Sequence, residues 1–147
     1  QAADAPRWDG VRRTCGSVLS TKTGSAVDKM LSFAVSLAGR PYAHRTRGPS
    51  YFDSDGLVCC VLRYMGAVSA DLDAEALSGI ESWEKIVDTG ALMRGDILFF
   101  STSDSVHAGI NLGGGRFLHA SASGGGVVVS RLAGQYLKRF LFARRIF

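Results

Sequence analysis

No stretch of the 147-residue sequence stays apolar and uncharged for the ~20 residues that a membrane-crossing helix needs. The longest helix-like run, residues 30–39, falls well short, which excludes a helical membrane span. A heptad pattern and a fixed-period repeat are also missing, so neither a coiled coil nor a repeat array is in view. Cysteine is scarce: Cys15, Cys59 and Cys60 make an odd count, which is no disulfide framework. Cys59 and Cys60 are adjacent within a helical pattern and cannot both face one partner. They read as small core residues rather than as catalytic thiols. A pairing of Cys15 with either stays open. No His-Glu-x-x-His or Cys-x-x-Cys spacing exists, so no metal and no cofactor is expected. Zinc-finger, helix-turn-helix and aromatic-interleaved basic motifs are absent too, which argues against a nucleic-acid partner. Acidic residues stop at Asp104, after seven of them between Asp71 and Asp96.

Six bases (Arg116, Arg131, Lys138, Arg139, Arg144 and Arg145) fill that acid-free tail and carry much of the net charge of +4. A cationic end fits an anionic surface such as a cell wall, and equally an ordinary solvated face. With 46% hydrophobic and 20% charged residues, the composition is that of a globular protein large enough for one core. The chain starts at Gln1 rather than Met. It therefore reads as a processed or trimmed product, with a removed secretory signal as one explanation.

Residues 1–24 read as an irregular N-terminal arm. A helix follows, with Ser25 and Asp28 matching a capping box and Gly39 and Pro41 as its stop. A basic loop at 40–52 leads to a second helix that starts near Asp53 or Ser54 and runs to about Met65, with Gly66 as its C-terminal cap. The acidic stretch 70–90 reads as loops and short helical turns. Beyond Asp96 the period changes to that of strands, predicted at 97–100, 106–112, 116–120, 127–130 and 140–146, with one helical turn within 131–137. Helices first and closely spaced strands after them predict an α+β domain over 25–147 with an antiparallel sheet. The glycine runs at 113–115 and 124–126 read as hairpin turns, since strands flank both.

Two of the three histidines fall on neighbouring strands. His107 and His119 take roughly mirrored positions about the 113–115 turn, so the two rings can share a face. Such a pair calls for a metal or a nucleophile, and the missing metal spacings favour a nucleophile at a helix N-terminus.

At this point the order of segments resembles a known family. Gly39-Arg40-Pro41-Tyr42, Tyr51-Phe52-Asp53-Ser54-Asp55-Gly56-Leu57-Val58, Gly95-Asp96-Ile97-Leu98-Phe99-Phe100, His107-Ala108-Gly109-Ile110, Arg116-Phe117-Leu118-His119-Ala120 and Ala143-Arg144-Arg145-Ile146 are similar, in order and spacing, to the NlpC-type bacterial cell-wall cysteine peptidases of the papain-like superfamily. The resemblance implies a papain-like fold with helices on a five- to six-stranded antiparallel sheet. It implies a Cys-His-polar triad, with His107 as base and His119 as the residue that orients it. The family motif Phe-Asp-Cys-Ser-Gly-Leu corresponds here to Phe52-Asp53-Ser54-Asp55-Gly56-Leu57, so Ser54 stands at the nucleophile position and Asp55 where the family has serine. His44 stands where a tryptophan is often found.

A cysteine at a helix N-terminus beside a histidine ionises at about pH 3.5–7.5. A serine hydroxyl does not, so this chain is expected to be inactive or nearly so. Two explanations for Ser54 compete, an engineered Cys-to-Ser change and a natural pseudoenzyme that binds wall peptides without cutting, with a true serine hydrolase as a minor third. For the function, a papain-like amidase or acyltransferase acting on another amide is a further alternative. The resemblance also implies a substrate, the peptidoglycan stem peptide. Asp53 would contact its free amine, Tyr42 would line the same cleft and Asp55 would add a second negative charge. The bond cut would join γ-D-glutamate to a diamino acid. A secreted, periplasmic or wall-associated location follows from that substrate. An inhibitor or immunity protein is a partner compatible with such an activity.

Overall fold

The computed structural model of the chain describes residues 22–42, 53, 55–103 and 105–147, and side chains from residue 26 onward. Ser54, Cys15, His44, Arg45 and Arg47 lie outside the described residues.

Helix α1 (Lys22–Ser36) buries Val27, Met30, Leu31 and Ala34 at three- and four-residue spacing, which is the stripe a helix turns toward a core. It starts before Ser25, so the capping box is not its N-terminus. The Asp28 carboxylate instead accepts from Arg94 Nη2 at 3.1 Å. Gly39, at φ +89°, ends the helical turn. The chain then steps onto the sheet: Gly39 N donates to Val127 O at 2.8 Å, and Val127 N donates to Arg40 O at 2.8 Å. Pro41 bridges Gly126, where any side chain would run into the Arg40 carbonyl. This docking carries Tyr42 to the edge of a cleft.

Helix α2 (Gly56–Tyr64) buries Leu57, Val58, Cys59, Val61 and Leu62, and Gly66 at φ +76° follows it. Helix α3 (Ala74–Ser78) is capped by Asp73, whose Oδ1 accepts from Ala76 N at 2.8 Å.

Strand β1 (Glu84–Ile86) lies within the stretch expected to hold only loops and helical turns. Two of its three residues are exposed charges, too short a pattern to read. Its strand character comes from its partner, through the pairs Glu84↔Arg145 and Ile86↔Ala143.

The remaining strands fall where the sequence predicts them: β2 (Ile97–Ser101), β3 (Val106–Gly113), β4 (Arg116–Ser121), β5 (Gly126–Arg131) and β6 (Phe140–Arg145), with helix α4 (Gly134–Arg139) before the last. They form one six-stranded sheet in the order β1-β6-β2-β3-β4-β5, antiparallel throughout. One face presents Ile97, Phe99, Ala108, Ile110, Leu118 and Val127 to the three N-terminal helices. The other packs Leu98, Phe100, Phe117 and Ala143 against Ile86, with Tyr136 of α4 and Phe140 alongside.

The basic tail divides. Arg145 forms a two-pronged pair with buried Asp96, at 2.8 Å on both oxygens. Arg144 donates to the carbonyls of Ser78 at 2.9 Å and Trp83 at 3.0 Å, tying β6 to the loop after α3. Arg116, Arg131, Lys138 and Arg139 remain exposed.

Candidate active site

Strands β3 and β4 form the hairpin that carries both histidines. The observed pairs, Ile110↔Leu118 and Asn111↔Phe117, set a register that continues to Gly109 opposite His119. His107 therefore sits diagonal to His119 rather than mirrored across the turn. The two share a face because they differ from direct opposition by two residues. His107 Nε2 and His119 Nδ1 are 2.8 Å apart. Gly109 is what permits this approach: a Cβ there would lie 2.8 Å from the Phe117 ring, 3.1 Å from Leu118 O and 3.4 Å from His119 Cβ.

A third side chain completes the line. His119 Nε2 lies 2.8 Å from Ser130 Oγ on β5. Val128 is the direct partner of His119, so Ser130 is its diagonal neighbour on the same face. Sequence reasoning missed Ser130. The signal was present in the β4–β5 hairpin, where counting outward from the 121–126 turn brings Ser130 beside His119. Aromatic rings wall the buried His119: Phe117 with its centroid at 4.6 Å, and Tyr136 edge-on at 5.2 Å.

The two histidines border a cleft of ≈ 330 Å³, lined also by Tyr42, Thr102, Ser121, Tyr136 and Arg139 among others. Asp53 and Asp55 flank this cleft electrostatically. Burial pushes the Tyr42 phenol up, and the charges of Asp53 and then Asp55 push it the same way. Burial pushes His107 down to about 4, against an opposing pull from Asp55. Burial, and then the neighbouring His107, pushes His119 down to about 3. Both imidazoles are accordingly neutral near pH 7, each with one donor and one acceptor nitrogen.

The start of α2 is built from the two aspartates that bracket position 54. Asp53 Oδ1 accepts from Gly56 N at 2.7 Å, so this carboxylate caps the helix. The Asp55 side chain makes no cap bond, and its Oδ2 accepts from Ala74 N at 3.1 Å at the start of α3. The carboxylate of Asp55 is thus held by a backbone N–H of the next helix.

Neither described thiol borders this cleft. Cys59 is buried, with its Sγ 3.3 Å from Leu72 N and 3.6 Å from Ala70 O. Burial pushes the Cys60 thiol up, the opposite of an activated nucleophile. Among the described residues no cluster of three or more His, Cys, Asp or Glu could hold a metal ion, and no helix is long and apolar enough to cross a membrane.

The chain is similar to known proteins in sequence and in fold. The chain is 33% identical over 126 residues to the probable peptidoglycan endopeptidase LytE of Bacillus subtilis, covering 84% of this chain and 35% of LytE. It is 36% identical over 115 residues to the probable endopeptidase YafL of Escherichia coli, covering 74% of this chain and 45% of YafL. The chain thus spans less than half the length of either relative. Among solved structures, the NlpC/p60 domain of the peptidoglycan hydrolase SagA superposes with a TM-score of 0.64 at 27% identity, covering 84% of this chain and 98% of that domain. The fold is therefore the papain-like α+β arrangement of that group. The NlpC/P60 family profile matches residues 39–146, from the docking segment before Tyr42 through the last strand, and on that match the chain belongs to the NlpC/P60 family.

Proposed function

We propose that this domain is a peptidoglycan endopeptidase that acts on stem peptides at the γ-D-glutamyl–diamino acid bond, present here with Ser54 at the position of the nucleophilic cysteine. The single observation that carries the reading is the 2.8 Å contact of His107 Nε2 with His119 Nδ1 beside the cleft, in the field of Asp55 at the start of α2. That contact occupies one nitrogen of His107 and leaves Nδ1 to serve as base, with His119 orienting the ring. Asp53 and Tyr42, coupled through their charges, supply the acidic end that would take the free amine of a short stem peptide, and Asp55 adds to it.

Catalysis by this set requires a nucleophile that ionises next to a neutral imidazole. A thiol, with an ordinary pKa near 8.5, can give up its proton to neutral His107 as it attacks the substrate carbonyl. A serine hydroxyl is far less acidic, so Ser54 leaves the site competent to bind but nearly silent. The exposed bases Arg116, Arg131, Lys138 and Arg139 suit an anionic wall. Action on that wall implies export of the protein to it, and an inhibitor or immunity protein would be the matching protein partner.

The test is Ser54→Cys. The variant is expected to release product from tri- and tetrapeptide stems, and Ser54→Cys/His107→Ala is expected to lose that activity, with the Ser54 protein as control. A Ser54→Cys protein that folds, binds stem peptide and cuts nothing would instead make the domain a wall-binding pseudoenzyme, with the negative charge of Asp55 beside the site as the first suspect.

A further inference from the structure

We propose that Ser130 is a positioning residue that sets the proton direction of the whole site: its Oγ accepts the Nε2–H of His119, which holds both imidazoles in the Nε2–H tautomer and keeps Nδ1 of His107 bare. The inference rests on the reading of His107 as the base.

Three side chains on three strands are joined by two hydrogen bonds of 2.8 Å each, His107 Nε2 to His119 Nδ1 and His119 Nε2 to Ser130 Oγ. A neutral imidazole carries one N–H and one lone pair, so the line permits only two proton arrangements. In one, Ser130 accepts, His119 carries Nε2–H, His107 donates Nε2–H to His119 Nδ1, and His107 Nδ1 is a lone pair. In the other every bond is reversed: Ser130 donates, His119 carries Nδ1–H, and His107 presents Nδ1–H. The second arrangement offers a nucleophile a donor where it needs a base. Since Nε2 of His107 is taken up by His119, only the first serves the chemistry, and each step from Nδ1 back to Ser130 is forced.

The position of the three groups makes the serine decisive. His119 is fully buried among Phe117, Tyr136 and His107, so its outer nitrogen depends on a protein partner. Ser130 is half-buried on β5 beside exposed Val129, so its own hydroxyl proton can turn to solvent while the oxygen accepts from His119. The depressed basicity of both imidazoles keeps them neutral, which is the condition under which tautomer choice matters.

Two measurements test the proposal separately from the function. The first uses the chain as it stands, with 15N-labelled histidine at neutral pH. His107 and His119 are both expected to show a protonated Nε2 and a bare Nδ1. Ser130→Ala should shift both rings toward the opposite tautomer, and Ser130→Thr, which keeps the hydroxyl on a strand that suits a β-branched residue, should restore the parent pattern. A protonated Nδ1 on His119 in the parent protein overturns the proposal. So does a pattern that Ser130→Ala leaves unchanged.

The second measurement uses the Ser54→Cys background. Adding Ser130→Ala should lower kcat roughly tenfold with KM unchanged, the size usual for a group that orients a reacting side chain through another, and Ser130→Thr should recover most of it. Equal kcat with and without the hydroxyl counts against the proposal. If Ser54→Cys itself cuts nothing, the endopeptidase reading fails on its own, while the nitrogen spectra still decide the role of Ser130.

Discussion

The two faces of the sheet solve opposite problems. The face toward α1, α2 and α3 is apolar apart from buried Arg144 at its β6 end, with Ile97, Phe99, Ala108, Ile110 and Leu118 all inaccessible to solvent. The other face also buries large side chains, Phe100 and Phe117 among them, yet it admits His107, His119 and Ser130 as a hydrogen-bonded line. The first face contributes stability through area removed from water. The second gives up part of that gain to hold polar atoms in a dry aromatic setting, where their geometry is fixed and their charged forms are disfavoured. A β-strand can do both at once because alternate residues point to opposite faces: in Val106-His107-Ala108-Gly109-Ile110, Ala108 and Ile110 belong to the core while His107 and Gly109 belong to the site.

Substitutions on the two faces should therefore separate stability from chemistry. The largest expected effect is on the helix-facing side. Phe99→Ala removes a fully buried ring from between the helices and the sheet and should cost about 3–5 kcal/mol in denaturant-induced unfolding. In the Ser54→Cys background, His119→Asn should do the reverse, lowering kcat by roughly a hundredfold or more with a far smaller change in unfolding midpoint. If His119→Asn unfolds the protein while Phe99→Ala leaves it intact, the division between the faces is wrong.

Acid should expose the cost carried by the second face. Both histidines have folded-state pKa values below that of an unfolded histidine, near 6.5: His107 at about 4 and His119 at about 3. Between the folded and unfolded values the unfolded chain binds more protons, so stability falls as the pH drops from about 6.5 toward 4. The loss attributable to His107 is on the order of 3 kcal/mol over that window. Unfolding curves at pH 7, 5.5 and 4 should show this slope, and a His107→Gln/His119→Asn double variant should flatten it. A double variant as acid-sensitive as the parent would place the acid response elsewhere.

Gly109→Ala sharpens the comparison at the residue between the rings. The added Cβ would meet Phe117 and the Leu118 carbonyl, so the strands must part slightly. The expected cost is about 1–3 kcal/mol, with a measurable rise in the accessibility of His119 by histidine hydrogen–deuterium exchange. The smallest effect should come from Arg94→Ala. Its pair with Asp28 lies on the surface at 3.1 Å, and losing it should change stability by no more than about 0.5 kcal/mol.

Much of the architecture was legible because periodicity survives in a single sequence. The apolar stripe of α1 and the buried run of α2 mark them as helices, and the tight glycine turns mark the hairpins. The pairing of His107 with His119 followed from a hairpin centred on those turns, although the register placed them diagonally. Strand β1 was not legible, since Glu84-Lys85-Ile86 has no pattern of its own and becomes a strand only against β6. The helix start at Lys22 was missed because Ser25 and Asp28 match a cap that tertiary contact with Arg94 uses differently. The tail bases divided for the same kind of reason. Arg144 and Arg145 read as surface charge, but β6 runs past Asp96 and the carbonyls of Ser78 and Trp83, which take up both guanidinium groups.

The amino-acid order alone determined most element types, the α+β class and the presence of two histidines on neighbouring strands, because each of these is a local property of spacing or residue identity. Only the tertiary structure decided that Ser130 stands at the end of the histidine line, that Gly109 makes room for it, and that Asp53 caps α2 while Asp55 reaches across to α3. These depend on which strand lies beside which, in what register, and that is settled by long-range pairing of backbone groups that no local stretch of sequence encodes.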